Sequence, residues 1–230
     1  MTTRISAIMS KLNPKFQTTT KIQKSCSPKL SESELQGKVD EAKRIMLYHL
    51  HSLVIEDHAN SQTKFKVTDE NKQILTDLKM YLAKQPGNLD TRKGIIFMGS
   101  VGSGKSMILE MIRRCMADLW HKELSIYTAP YIKDQYYKES ETETISWIVQ
   151  NYRFLGINDI GLELATKGCD ELLRNVLYER FEKRLFTFIT TNLTLSQFYK
   201  RYEYPDNVGR MGDRFQHMFN YVKLSGASFR

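Results

Sequence analysis

Gly99, Ser100, Val101, Gly102, Ser103, Gly104, Lys105 and Ser106 follow one another in the chain and match the spacing G-x-x-x-x-G-K-[ST]. Each residue type has a chemical reason. Glycines let the backbone curl until several N–H groups point at one phosphate. A helix that starts there turns its positive N-terminal end to the same anion. In that setting Lys105 reaches the β- and γ-phosphates, and the Ser106 hydroxyl ligates Mg²⁺. The flanks agree: Ile95-Ile96-Phe97-Met98 reads as a buried strand, and Met107 to Ile112 as the start of a helix. The expectation is a site for a nucleoside triphosphate, with ATP and Mg²⁺ as its cofactors.

Such a site needs an acid at the end of a second strand. Phe154-Leu155-Gly156-Ile157-Asn158-Asp159 is an apolar run that ends in Asp, with Glu163 shortly beyond. Asp159 is placed to orient the attacking water, with Glu163 a possible helper. The metal set expected is Ser106, Asn158 and Asp159. An amide at 158 can accept a hydrogen bond from a magnesium-bound water, but it carries no charge and holds the cation's shell less well. Binding is therefore better supported than fast hydrolysis. Leu185 to Thr191 forms a third apolar run, followed by Asn192, whose side chain would lie beside the γ-phosphate.

These strands must be held by helices. Ser31 and Glu34 have capping-box spacing. Leu35, Val39, Ala42, Ile45, Met46, Leu50 and Leu53 then recur at helical steps and predict a helix over 33–54. Residues 71–82 read as a second helix. From residue 94 apolar strands (95–98, 125–128, 153–157, 185–191 and 219–224) alternate with helical patterns at 107–120, 141–150, 170–184 and 195–201. That rhythm predicts an α/β fold with five parallel strands. The domain reading is a basic arm at 1–31, a small helical region at 32–63 and the nucleotide-binding domain at 64–230.

The 230 residues carry 34 basic and 26 acidic side chains, a net charge of +8. The first 31 residues hold six basic side chains and no acid, so most of the excess lies on a short arm suited to an anionic partner. No apolar run approaches the roughly 18 residues of a membrane span. Cys26, Cys115 and Cys169 are scattered, which argues against a disulfide framework and for a reducing, cytoplasmic setting. The five histidines show no metal-ligand spacing. Tyr131, Lys133, Tyr136, Tyr137 and Lys138 mix cations with aromatics as single-stranded DNA sites do. Arg113 and Arg114 on the helix after the glycine loop join that set. Packing of the tyrosines against the sheet is the competing reading.

With its three strands in order, the chain resembles the DnaC-type helicase loaders, AAA+ ATPases that include the IstB-type transposition helpers. The matching stretches are KGIIFMGSVGSGKS (93–106), YRFLGINDIGLE (152–163), LYERFEKRLFTFITTNL (177–193) and GRMGDRFQHMFNYVKLSGASFR (209–230). The resemblance implies an AAA+ P-loop core of five parallel strands flanked by helices, preceded by a small helical N-terminal region that binds a partner. It implies ATP hydrolysis, with Lys105 and Ser106 as the Walker A pair, Asp159 as the second Walker B acid and Asn192 as sensor 1. Asn158 departs from the family's magnesium-binding Asp. Arg214 matches the arginine finger that reaches a neighbouring subunit, with Arg210 as a second candidate. Arg230 matches the sensor 2-like arginine.

The implied partners are a replicative helicase or a transposase, single-stranded DNA, and further copies of the chain in an ATP-dependent homo-oligomer, with no membrane. Besides a helicase loader, a transposition helper, a P-loop kinase of a small molecule and a nucleotide-gated adaptor with little turnover stay open.

Overall fold

In the computed structural model, residues 31–57, 69–138, 140–161, 169–203 and 210–224 are described. Helices α1 (Glu32–Asp57) and α2 (Asp69–Leu82) come first. Then follow β1 (Gly94–Gly99), α3 (Lys105–Trp120), β2 (Ser125–Thr128), α4 (Ala129–Lys138), α5 (Glu141–Asn151) and β3 (Phe154–Ile160). The chain continues through α6 (Cys169–Glu182), β4 (Phe186–Thr191), α7 (Leu195–Tyr202), α8 (Arg210–Met218) and β5 (Phe219–Leu224). From Ser33 onward these elements form one unit.

The five strands make one sheet in the order β2-β3-β4-β1-β5, and every adjacent pair is parallel. The first strand in sequence lies near the middle of the sheet, so β1, β4 and β3 run side by side. Their C-terminal ends therefore share one edge. Parallel strands covered on both faces read as apolar runs, as IIFM does in β1. In β4 the buried Thr187, Thr190 and Thr191 join Phe188 and Ile189 with their hydroxyls hydrogen-bonded.

Alternate residues serve opposite faces. Ile95, Phe97, Phe188, Val222 and Leu224 pack with α1, α2 and α3 through Met46, Leu50, Leu78, Leu82, Ile112 and Met116. Ile96, Leu155, Ile157 and Ile189 pack on the other side with Ile132, Ile148, Leu173, Leu177, Phe198 and Phe215. Each such side chain, taken fully out of water, contributes about 1.5–3 kcal/mol.

The predicted helices and strands are present, with no end moved by more than three residues. Two helices were not foreseen. The aromatic segment after residue 128 is α4. Thr128 Oγ1 accepts from the Tyr131 N–H at 3.2 Å, and Pro130 in the first turn loses nothing by lacking an N–H. The stretch 210–218 is α8, where Met211, Phe215 and Met218 do have helical spacing. Its shortness and internal Gly212 hid it. Both Glu203 carboxylate oxygens accept from its first turn, from Met211 N at 3.0 Å and Gly212 N at 3.1 Å. The arm at 1–30 and the residues Glu163 and Arg230 lie outside the described residues, as do the side chains of Cys169 and Arg210.

Candidate nucleotide site

β1 ends at Gly99 and the chain turns through residues 100–104 into α3. Gly102 and Gly104 adopt φ of 81° and 83°, the left-handed region that side chains other than glycine avoid. Gly99 is needed for room: a Cβ there would meet the Leu224 carbonyl oxygen at 2.4 Å and Ser103 Oγ at 2.8 Å. Gly104 caps α3 without any side-chain bond, so the first N–H groups of that helix face outward and can receive an anion.

Lys105 is 5 % exposed. Its Nζ donates to the carbonyls of Gly99 at 2.9 Å and Ser100 at 2.7 Å, and lies 3.4 Å from Ser103 Oγ. Burial pulls its ammonium below the ordinary lysine range, and the charge of Asp159 opposes part of that fall. Lys105 follows the end of β1 and Asp159 lies near the end of β3, with β4 between the two strands, so both stand at the same edge of the sheet. Ser106, one residue on, is exposed on the first turn of α3.

β3 does not end simply. Its register against β4 slips, with Ile157 opposite Ile189 and Ile160 opposite Thr191. Asn158 and Asp159 thus stand opposite Thr190 alone, a bulge of the kind that re-aims a side chain. Asp159 sits at φ 59°. Its backbone N–H donates to Thr190 Oγ1 at 2.8 Å, and that hydroxyl donates to Asn158 Oδ1 at 2.7 Å. Asn158 Nδ2 in turn donates to Asp159 Oδ2 at 3.1 Å. Beyond the bulge, Thr191 Oγ1 donates to the Ile160 carbonyl at 2.6 Å. Arg201 Nη1 holds the Gly161 carbonyl at 3.1 Å. Neither the bulge nor the roles of Thr190 and Arg201 are legible in sequence, because they depend on how β3 registers against β4 and where α7 lands.

Asn192 follows β4 directly. Its Oδ1 is buried and has no hydrogen-bond partner among the described residues. A buried amide oxygen without a partner is costly, and a water or ligand donor at this edge would satisfy it. Lys105, Ser106, Asp159 and Asn192 therefore lie at the C-terminal ends of three adjacent strands. The set fits a metal-bound triphosphate: exposed helix N–H groups, one buried ammonium, one hydroxyl, one carboxylate and one unsatisfied amide.

Arg214 is elsewhere. It lies 3.3 Å from Glu182 and stacks on Tyr178 (4.4 Å) and Phe181 (5.6 Å), at the end of α6 that leads into β4. That is the opposite edge of the sheet from Lys105. A separate cleft of about 260 Å³ opens near there, lined by Arg92, Arg180, Arg184 and His217 among others. Arg180 below it is fully buried. It donates to Thr187 Oγ1 (2.8 Å) and to the carbonyls of Tyr152 (2.8 Å) and Phe186 (2.7 Å), with longer bonds to Ile148 and Arg153. Burial draws its pKa down to about 9, which leaves it charged at neutral pH.

The aromatic and basic residues of α4 are divided. Tyr131 and Tyr137 are exposed, and Lys133 lies over the Tyr137 ring at 5.8 Å. Tyr131 stacks on Tyr127 at 5.5 Å, and Tyr136 packs against the sheet-side core. Arg113 and Arg114 are engaged by carboxylates of Glu110 and Glu56. No helix among the described residues is long and apolar enough to cross a membrane.

No protein-family profile matches the chain. Among curated proteins it is similar to the replicative helicase loader DnaI of Bacillus subtilis, 22% identical over 148 residues. That match takes in 60% of this chain and 48% of the relative, so the chain spans about half the length of the curated relative it matches. Among solved structures, the DnaC helicase loader superposes with a TM-score of 0.57 at 17% identity, covering 73% of this chain and 97% of that one. DnaI superposes with a TM-score of 0.55 at 22% identity, covering 74% and 88%. Sheet order, glycine loop and neighbours agree: this chain has the AAA+ P-loop fold of the DnaC and DnaI helicase loaders.

Proposed function

We propose that the chain is an ATP-dependent loader that places a replicative helicase on single-stranded DNA. The observation that carries the reading is the convergence of Lys105, Asp159 and the unsatisfied Asn192 amide at one sheet edge. The likeness to DnaI supports the choice of loader among AAA+ functions.

In this reading the α3 N–H groups and Lys105 hold the phosphates, Lys105 exchanging the Gly99 and Ser100 carbonyls for phosphate oxygens. Ser106 and Asp159 would hold Mg²⁺, with Asn158 at its water shell. When bound, the ion would neutralise charge that develops on the β- and γ-phosphates. Asp159 orients the attacking water, and the Asn192 Oδ1, which lacks a donor, accepts from that water beside the γ-phosphate. Arg214 serves the nucleotide of an adjoining copy, which requires it to leave Glu182, and Arg230 closes the site from the tail. Supplying an arginine in trans couples turnover to assembly. Tyr131, Lys133, Tyr137 and Lys138 offer single-stranded DNA a stacking and charge surface. The region 32–63 binds the helicase, the arm 1–31 adds charge, and 64–230 is the ATPase. The cytoplasm is where such a loader works.

The test pairs ATP binding with loading. Lys105→Ala should lose ATP affinity by a factor of 100 or more. The wild-type chain should increase helicase bound to circular single-stranded DNA in an ATP-dependent way. Unchanged affinity in Lys105→Ala would end the nucleotide reading. ATP binding with no effect on any helicase, but capture of a transposase, would end the loader reading.

A further inference from the structure

Asp159, the acid on which the proposed chemistry depends, is a non-glycine residue at φ 59°, in the left-handed region that Asp enters as a single residue when local hydrogen bonds support it. Three hydrogen bonds close a ring around it. The Thr190 hydroxyl donates to the Asn158 amide oxygen at 2.7 Å. The Asn158 amide nitrogen donates to the Asp159 carboxylate at 3.1 Å. The Asp159 backbone N–H donates to the same Thr190 hydroxyl at 2.8 Å. Each bond orients the group that makes the next. Thr190 is fully buried in the central strand β4, so the ring is anchored to a strand paired on both sides.

We propose that Thr190 and Asn158 are positioning residues for Asp159. The Asn158 amide acts chiefly through its N–H on the carboxylate, more than through its oxygen on the metal's water shell. This gives the asparagine a use that a second acid could not have. An Asp at 158 would have no N–H to give and would set two like charges side by side. The inference rests on the reading of Asp159 as the acid that faces the nucleotide, since Lys105 feels its charge.

The experiment compares Thr190→Val, Thr190→Ser, Asn158→Ala and the Val/Ala double variant with the wild-type full-length chain. Three quantities are read: kcat for ATP hydrolysis, affinity for a fluorescent ATP analogue, and exchange of the Asp159 backbone amide in the nucleotide-free protein. Thr190→Val keeps the shape and removes both bonds of the hydroxyl. It should lower kcat about tenfold or more, since small misplacements of a reacting group cost that much, and leave ATP affinity within twofold. Thr190→Ser should restore turnover. A ring fails as a unit, so the double variant should be no slower than the slower single variant. The Asp159 amide should exchange about tenfold faster in Thr190→Val and at the wild-type rate in Thr190→Ser.

Losses that multiply in the double variant, or an exchange rate unmoved by Thr190→Val, would overturn the proposal. Where the wild type binds ATP without turning it over, exchange decides alone by the same criterion. A wild type that binds no ATP would remove the proposed function instead, while amide exchange still reports on the ring in the free protein.

Discussion

Arg114 Nη1 and Nη2 hold Glu56 Oε1 and Oε2 at 2.7 and 2.6 Å, which ties α1 to the helix that begins at Lys105. His49 Nε2 and Asp118 Oδ2 make a second tie between the same helices at 2.7 Å. The helix proposed to meet a partner therefore rests on the helix proposed to meet phosphate.

The first prediction concerns this tie and pH. Hydrogen bonding to Arg114 holds the Glu56 carboxyl below its ordinary value of 4.5. A depressed carboxylate stabilises the fold above that ordinary value and ceases to do so as pH falls through the lowered one. Glu56→Gln should therefore melt a few degrees below wild type at pH 7 in low salt, and the gap should narrow as pH falls below 4.5 and in molar salt. The pair is half exposed, so a large effect is not expected. Thermal melts across pH and salt decide; identical curves at pH 7 and low salt would refute it.

The glycine loop offers a second. Gly99→Ala would push a methyl onto the Leu224 carbonyl, which is backbone and cannot swing aside. Overpacking of this kind costs about 1–3 kcal/mol. Urea unfolding should show that loss, with ATP affinity reduced because β1 and β5 must part at the mouth of the loop.

Arg180 gives a sharper test. Its acceptors are mainly main-chain carbonyls that no mutation can delete. Arg180→Met would leave several of them buried and unpaired, at about 1–3 kcal/mol each. A loss of at least about 3 kcal/mol in equilibrium unfolding is expected, with Arg180→Lys intermediate because an ammonium has fewer donors. A methionine variant as stable as wild type would show that these carbonyls find other partners.

Cys115 provides a chemical check. The thiol is fully buried, and burial pushes its pKa up to about 12. In a chain with Cys26 and Cys169 replaced by serine, a thiol reagent at pH 8 should label no site until denaturant is added. Rapid labelling of the folded chain would contradict the packing of α3 against the sheet.

Sequence alone determined the loop from Gly99 to Ser106, the strands that enter it and the order of the three functional strand ends. Those features are local: glycine suits a turn where φ is positive, and a strand buried on both faces is largely apolar, with any polar side chain hydrogen-bonded. The helix α4 escaped notice because aromatics and cations at 131–138 suit a surface and a helix equally well. Tertiary structure alone decided the bulge at Asn158 and Asp159, the use of Thr190 to hold it and the clasp around Arg180. It also placed Arg214 against Tyr178 at the far edge of the sheet. Each of these depends on which residue of one element faces which residue of another. That pairing is set by the packing of the whole sheet, which no short stretch of sequence contains.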